Sequence, residues 1–88
     1  MFDLSSYEWH YFIGGDCKLK HRKSQAPPLA FIRHEPQGVY EAVLVRHTDW
    51  YGNITDYFSL GMFDSPDEAQ RIIHQALTNL QEDACITT

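Results

Sequence analysis

Apolar and polar residues alternate at the start of the chain in a way that predicts two paired strands. Tyr7 to Ile13 places large apolar side chains at every second position, which is typical of a strand with one buried face. Gly14-Gly15-Asp16 then predicts a tight turn. Cys17 to Lys23 is expected to pair back as a second strand, and its lysines indicate a sheet edge. The inward-facing residues of this strand would be Cys17, Leu19 and His21.

Three further strand-like segments follow a break at Ser24–Pro28. Its two consecutive prolines are incompatible with a central position in a sheet. Turns containing glycine, at residues 35–38 and 49–53, separate the three segments from one another. Because connections this short force neighbouring strands to run antiparallel, the three are expected to form a meander. The segments are Leu29–His34, Val39–His47 and Ile54–Leu60.

The pattern then changes to that of an amphipathic helix, from Pro66 to about Gln81. Ser65 suits the N-cap, Pro66 fits the first helical position, and Glu68 completes a capping box. Apolar residues recur every three or four positions along one buried stripe. The stripe consists of Ala69, Ile72, Ile73, Ala76, Leu77 and Leu80. Residues 82–88 show no such period and are expected to fray.

These elements predict one α+β domain over residues 1–88. It is an antiparallel meander of three main strands, with one or two N-terminal strands, packed against one C-terminal helix. A chain of 88 residues has room for one core, and an apolar content of 43% is enough to fill it. A single helix covers only one face of the sheet, so the other face is expected to expose aromatic rings. The strand register determines which of four aromatic residues lie on that exposed face: Trp9, Tyr11, Tyr40 and Tyr57.

The junction between the last strand and the helix reads Gly61-Met62-Phe63-Asp64-Ser65-Pro66-Asp67-Glu68-Ala69. Three antiparallel strands, a turn of this form and a helix across the sheet resemble the AP2 DNA-binding domain and the arm-binding domains of tyrosine integrases. Those domains place their sheet in the DNA major groove, so the resemblance implies nucleic-acid binding. This chain departs from them in charge, because residues 29–81 carry three arginines against seven carboxylates.

Charge is unevenly distributed along the chain, whose net charge is −5. The main exception to its acidity is a basic strip at Lys18–Lys23. One hypothesis is that this strip and the sheet bind nucleic acid, with nearby aromatic rings stacking on bases. The alternative is a solvated strand whose lysines protect it from aggregation. The nucleic-acid hypothesis involves Lys18, Lys20, Arg22, Lys23, Arg33 and Arg46.

The leading functional hypothesis is a non-enzymatic interaction module. It would bind a protein partner, or a second copy of itself as a homodimer, through the open sheet face or an edge strand. Trp50-Tyr51 lies in a predicted turn, where exposed rings can anchor an interface, unless both rings fold back over the end of the sheet. The residues expected to bind the partner are Trp9, Tyr11, Tyr40, Trp50, Tyr51 and Tyr57.

Candidate catalytic chemistry is limited to a third hypothesis, a metal- or thiol-dependent enzyme. The five histidines lack metalloprotease or zinc-finger spacing, although strands could align His10, His34 and His47 on one face. Cys17 stands beside two lysines, which lower a thiol pKa when they are close in space. No catalytic residue, metal site or cofactor is predicted. The chain shows no secretory signal and no apolar run of about 20 residues, so a cytoplasmic protein without a membrane partner is expected.

Overall fold

The computed structural model of this chain describes residues 4–86, with side chains described as far as Asn79. A short 3-10 turn at Leu4–Ser6 precedes five strands and one helix. The strands form one antiparallel sheet in the order in which they occur in the chain, and α1 packs on it. The predicted α+β fold is confirmed. The elements are β1 (Tyr7–Tyr11), β2 (Cys17–His21), β3 (Ala30–His34), β4 (Tyr40–Thr48), β5 (Ile54–Phe63) and α1 (Pro66–Ile86).

The first hairpin pairs β1 with β2 as predicted, but β2 is not an edge strand. It lies between β1 and β3, and β1 occupies the edge instead. Alternation explains why a strand with two lysines is accepted inside the sheet. Cys17 and Leu19 point to the buried face, while Lys18 and Lys20 point to the opposite, solvated face, so no charge enters the core.

The turn of this hairpin begins at Phe12, so β1 is two residues shorter than predicted. Phe12 N donates to Asp16 O at 2.9 Å, and Gly15 N donates to Phe12 O at 3.2 Å. Gly15 has φ +98°, and a Cβ placed there would lie 2.8 Å from Nδ1 of His34. Only glycine therefore fits where the turn approaches the end of β3.

Helix α1 begins as the sequence predicts. The backbone N of Glu68 donates to Oγ of Ser65 at 3.2 Å, which is the predicted N-cap bond. Ala69, Ile73 and Leu77 of the predicted stripe are buried, whereas Leu80 lies outside the described side chains. The helix also continues to Ile86, so its predicted end at about Gln81 is wrong. Residues 87 and 88, at the end of the segment expected to fray, lie outside the described residues. No glycine or proline interrupts residues 82–86, and α-helical geometry continues without an apolar period.

Strand β5 is longer than predicted. It runs through Phe63 instead of ending at Leu60. Leu60 is an extra residue in the ladder, because Val43 pairs with Ser59 and Ala42 with Gly61. Gly61 has φ +119° and therefore forms a bulge within the strand rather than releasing the chain from it.

The register divides the strand side chains between two faces of the sheet. The face under α1 carries the core, which includes Cys17, Leu19, Ala30, Ile32 and Ala42. We call the opposite side the open face. It is defined by Lys18, Lys20, Phe31, Arg33, Glu41, Val43 and Tyr57. Among the described residues, no helix is long and apolar enough to cross a membrane.

Candidate interaction surface

In the part of the chain whose side chains are described, exposed large apolar side chains fall into two groups. One group, residues 11–13, lies at the end of β1 and the start of its turn. The other lies in the β4–β5 turn and along β5, and we call it the β5 surface. The β5 surface consists of Trp50, Tyr51, Tyr57, Phe58 and Met62.

The β4–β5 turn holds its two aromatic residues outward on a hydrogen-bonded backbone. Oδ1 of Asp49 accepts hydrogen bonds from the backbone N of Tyr51 at 2.9 Å and of Asn53 at 2.8 Å. The hydrogen bonds from Asn53 are the main reason that the pKa of Asp49 lies below its ordinary value. Trp50 is 95% exposed and Tyr51 is 87% exposed. The alternative in which both rings fold back over the sheet is therefore wrong.

Strand β5 forms one edge of the sheet and carries apolar side chains on both of its faces. Tyr57 lies on the open face against Phe31, with ring centroids 6.3 Å apart. Phe58 lies on the helix side, where it lines an apolar groove of about 670 Å³ together with Leu44 and Leu77. The sequence hypothesis omitted Phe58 and Met62. Their exposure depends on strand order, and a local pattern of apolar residues does not specify strand order.

A buried carboxylate organises the open face. Glu41 is 9% exposed and accepts hydrogen bonds from Nε of Arg33 at 3.0 Å and from Oγ of Ser59 at 2.8 Å. Burial by itself raises the pKa of Glu41, but the hydrogen bonds from Arg33 and Ser59 outweigh it, so the pKa lies below its ordinary value. The same contact with Glu41 raises the pKa of Arg33. Three neighbouring strands are therefore joined by a charged contact.

Aromatic rings surround this ion pair. The guanidinium of Arg33 lies 5.8 Å from the ring centroid of Phe31 and 5.7 Å from that of Tyr57, within cation–π range of both. Lys18 lies 5.4 Å from the ring centroid of Phe12 at the far side of the same face. The open face thus combines cations and aromatic rings. Arg33, however, is already in contact with Glu41, Phe31 and Tyr57.

The six cations of the nucleic-acid hypothesis differ in how far they are neutralised. Each of the three arginines contacts a carboxylate: Arg22 reaches Glu8 at 3.3 Å, Arg46 reaches Asp56 at 3.6 Å, and Arg33 pairs with Glu41. Within residues 4–79, no carboxylate lies at ion-pair distance from the remaining cations. These are Lys18, Lys20 and Lys23.

Three of the residues expected to bind a partner lie instead on the helix side of the sheet. Nε1 of Trp9 donates to Nε2 of His74 at 3.0 Å. The hydroxyl of Tyr11 accepts from Nε2 of Gln70 at 3.0 Å. Tyr40 packs against the core. The sequence left open which of the aromatic residues Trp9, Tyr11, Tyr40 and Tyr57 lie on the open face. Of these four, Tyr57 lies there.

The surroundings of Cys17 oppose a reactive thiol. Cys17 is buried, and burial raises the pKa of its thiol. The lowered pKa that a reactive thiol would require is therefore not found, and Lys18 and Lys20 alternate to the open face, away from the thiol. The histidines on β1–β4 are dispersed. Within the described part of the chain, no three His, Cys, Asp or Glu side chains are grouped closely enough to hold a metal ion.

Comparison with known proteins identifies no relative of this chain. No family model, curated protein or solved structure matches the chain. The resemblance to AP2 and integrase arm-binding domains therefore stays a prediction. Among the features described above, the β5 surface is the largest group of exposed apolar side chains.

Proposed function

We propose that this protein is a non-enzymatic interaction module that binds a protein partner at the β5 surface. One observation carries the proposal: among residues 4–79, five of the eight large apolar side chains that are exposed lie between Trp50 and Met62, beside a sheet edge. Exposed apolar area beyond a few hundred Å² commonly marks a binding site. A cytoplasmic location belongs to this proposal, because thiols such as Cys17 stay reduced there.

The geometry suits recognition of an extended segment. Such a segment would add a strand to β5 through main-chain hydrogen bonds, and alternate side chains would contact the two faces. On the helix side it would meet Phe58 and the apolar groove, and on the open face it would meet Tyr57 and Met62. The hydrogen-bonded turn would present Trp50 at the end of β5, and the ordering of its backbone before binding would reduce the entropy lost on binding.

A peptide selection tests this proposal without knowledge of the natural partner. A phage library of random linear peptides is panned on the wild-type protein and, in parallel, on Phe58→Lys and Ile13→Lys. Ile13 is a suitable control because it is fully exposed in the other apolar group. We expect enriched peptides that bind wild type and Ile13→Lys and that lose at least tenfold in affinity on Phe58→Lys. Failure to enrich any peptide, or equal binding to both variants, would overturn the proposal.

A second candidate function is binding of single-stranded nucleic acid on the open face. It is favoured by the position of Lys18 and Lys20 on the same face as Phe31 and Tyr57, since cations and stacking rings together hold single strands. Three lysines without carboxylate partners predict a slope of only about −2 in log affinity against log salt. Fluorescence anisotropy with a labelled oligonucleotide measures that slope. No binding at low salt would remove this candidate.

A further inference from the structure

We propose that the partner of the β5 surface is a second copy of this chain, paired antiparallel along β5 about a two-fold axis. The two five-stranded sheets would join into one sheet of ten strands. This inference rests on the proposed function, because it assigns an occupant to the same surface. Three observations carry it: the length of the edge, its lack of lysine and proline, and the absence of like-charge contacts when β5 pairs with itself.

The edge at β5 is the longer of the two edges of the sheet. β5 has ten residues, whereas β1 at the opposite edge has five. β5 is last in the strand order, so among residues 4–86 its main chain pairs with β4 alone. The outward N–H and C=O groups of such an edge are a template for another strand.

Few side chains of β5 protect its edge against pairing with another strand. Edge strands of monomers usually carry lysine, proline, inward-pointing charge or a bulge. β5 has neither lysine nor proline, and its single charged residue, Asp56, is paired with Arg46 at 3.6 Å. β1 also lacks lysine and proline and carries one carboxylate, Glu8, in contact with Arg22 and His10, so the two edges differ mainly in length.

The sequence of β5 complements itself about an axis at Phe58. In a two-fold dimer the same surface of each copy meets the other, so residues equidistant from the axis become partners. Phe58 would meet its own counterpart, and Tyr57 would face Ser59 of the second copy. Asp56 would face Leu60, so that no two carboxylates are opposed. This register brings the two Phe58 rings together and leaves no like-charge contact along the strand.

The bulges in β5 limit how much main chain such a dimer can pair. Tyr57–Ser59 is the regular stretch, with Thr55 and Leu60 standing as extra residues on either side. Side chains must therefore supply most of the interface. In this register the β4–β5 turn of each copy lies beside the C-terminal end of β5 in the other copy. Trp50 of one copy is thereby brought toward Met62 of the other.

The exposed area is large enough for a dimer of this kind. With roughly 200 Å² for a large apolar side chain, the exposed fractions of the β5 surface amount to about 700 Å² per copy. Full coverage in both copies would bury on the order of 1,400 Å², within the range of specific interfaces. The short main-chain ladder and the area together predict a dimer that dissociates on dilution.

Light scattering over a concentration series tests the dimer. We expect the mass of the wild-type protein to rise from one chain to two between about 10 µM and about 1 mM, an interval that spans weak reversible association. Phe58→Lys should weaken association at least tenfold, and Trp50→Ser should weaken it severalfold. Ile13→Lys should behave as wild type. Trp50 is almost fully exposed, so the Trp50→Ser result does not depend on any effect of Phe58→Lys on folding.

The outcomes separate this inference from the proposed function. A wild-type protein that stays monomeric throughout the series overturns the dimer, and so does association that Ile13→Lys abolishes but Phe58→Lys does not. If that monomer still binds the selected peptides, the occupant of β5 is a different protein and the proposed function stands. If it binds a labelled single strand instead and no peptide, both proposals fail and the open face is the functional surface.

Discussion

Glu41→Gln removes a buried carboxylate charge from the open face while it preserves the size of the side chain. Hydrogen bonds to a charged group contribute about 1.5–3 kcal/mol each when they are well shielded. The Arg33 side chain is 46% exposed, so solvent screening reduces its share. We therefore expect a loss of about 1–2 kcal/mol at neutral pH, which for a chain of this size lowers Tm by about 5–10 °C.

The pH dependence identifies the charge as the cause. Because the pKa of Glu41 is lower in the folded protein than its ordinary value of 4.5, the unfolded chain binds more protons between the two values. The stabilisation by Glu41 is therefore complete above the ordinary value and is lost as the pH falls through the folded pKa. We expect the gap in unfolding free energy between wild type and Glu41→Gln to shrink on acidification from about pH 6 to about pH 3.

Urea denaturation, followed by tryptophan fluorescence at several pH values, measures this gap. Glu35→Gln is the matched control, because within residues 4–79 no cation lies at ion-pair distance from the Glu35 carboxylate. It should change the stability little. A Glu41→Gln variant as stable as wild type at neutral pH, or a gap that stays constant down to acidic pH, would refute the role assigned to Glu41.

Three further predictions concern the core, the helix start and the bulge. Cys17 should react with iodoacetamide at least 100-fold more slowly in the native protein than in denaturant, as peptide mass spectrometry can show, because it is buried and its pKa is raised. Ser65→Ala should cost about 1 kcal/mol in chemical denaturation, through loss of the bond to the N–H of Glu68. Gly61→Ala should cost about 1–3 kcal/mol, measured as a lower Tm, because φ at this position is +119°.

The helix and the meander were predictable because their signals are local. Ser65 and Pro66 mark the start of α1, and apolar spacing identifies the face that carries Ile73. The β2 prediction failed in one respect for a physical reason. Lysines indicate that side chains of a strand are exposed to solvent. A strand can expose one face to solvent and still pair with a neighbouring strand along each edge, as β2 does with β1 and β3. The end of β5 was missed because Gly61 is equally suited to a bulge and to a turn.

The candidate site was predictable only in part. Exposure of Trp50 was one of two alternatives that its position in a turn allowed, and Trp9 gave the same aromatic signal but lies against His74. Strand order and register decide between these outcomes, and both depend on pairing between distant residues. Phe58 escaped notice for the same reason, since its importance comes from the edge position of β5.

Amide hydrogen exchange followed by NMR as a function of protein concentration tests the central claim most directly. Pairing at β5 would protect its outward amides, which are not bonded to β4, by closing them in a second ladder. We predict that exchange in Tyr57–Ser59 slows as the concentration rises, while exchange along β1, the other edge, stays constant. Exchange at β5 that is independent of concentration, or slowing confined to β1, would contradict the assignment of β5 as the self-association edge.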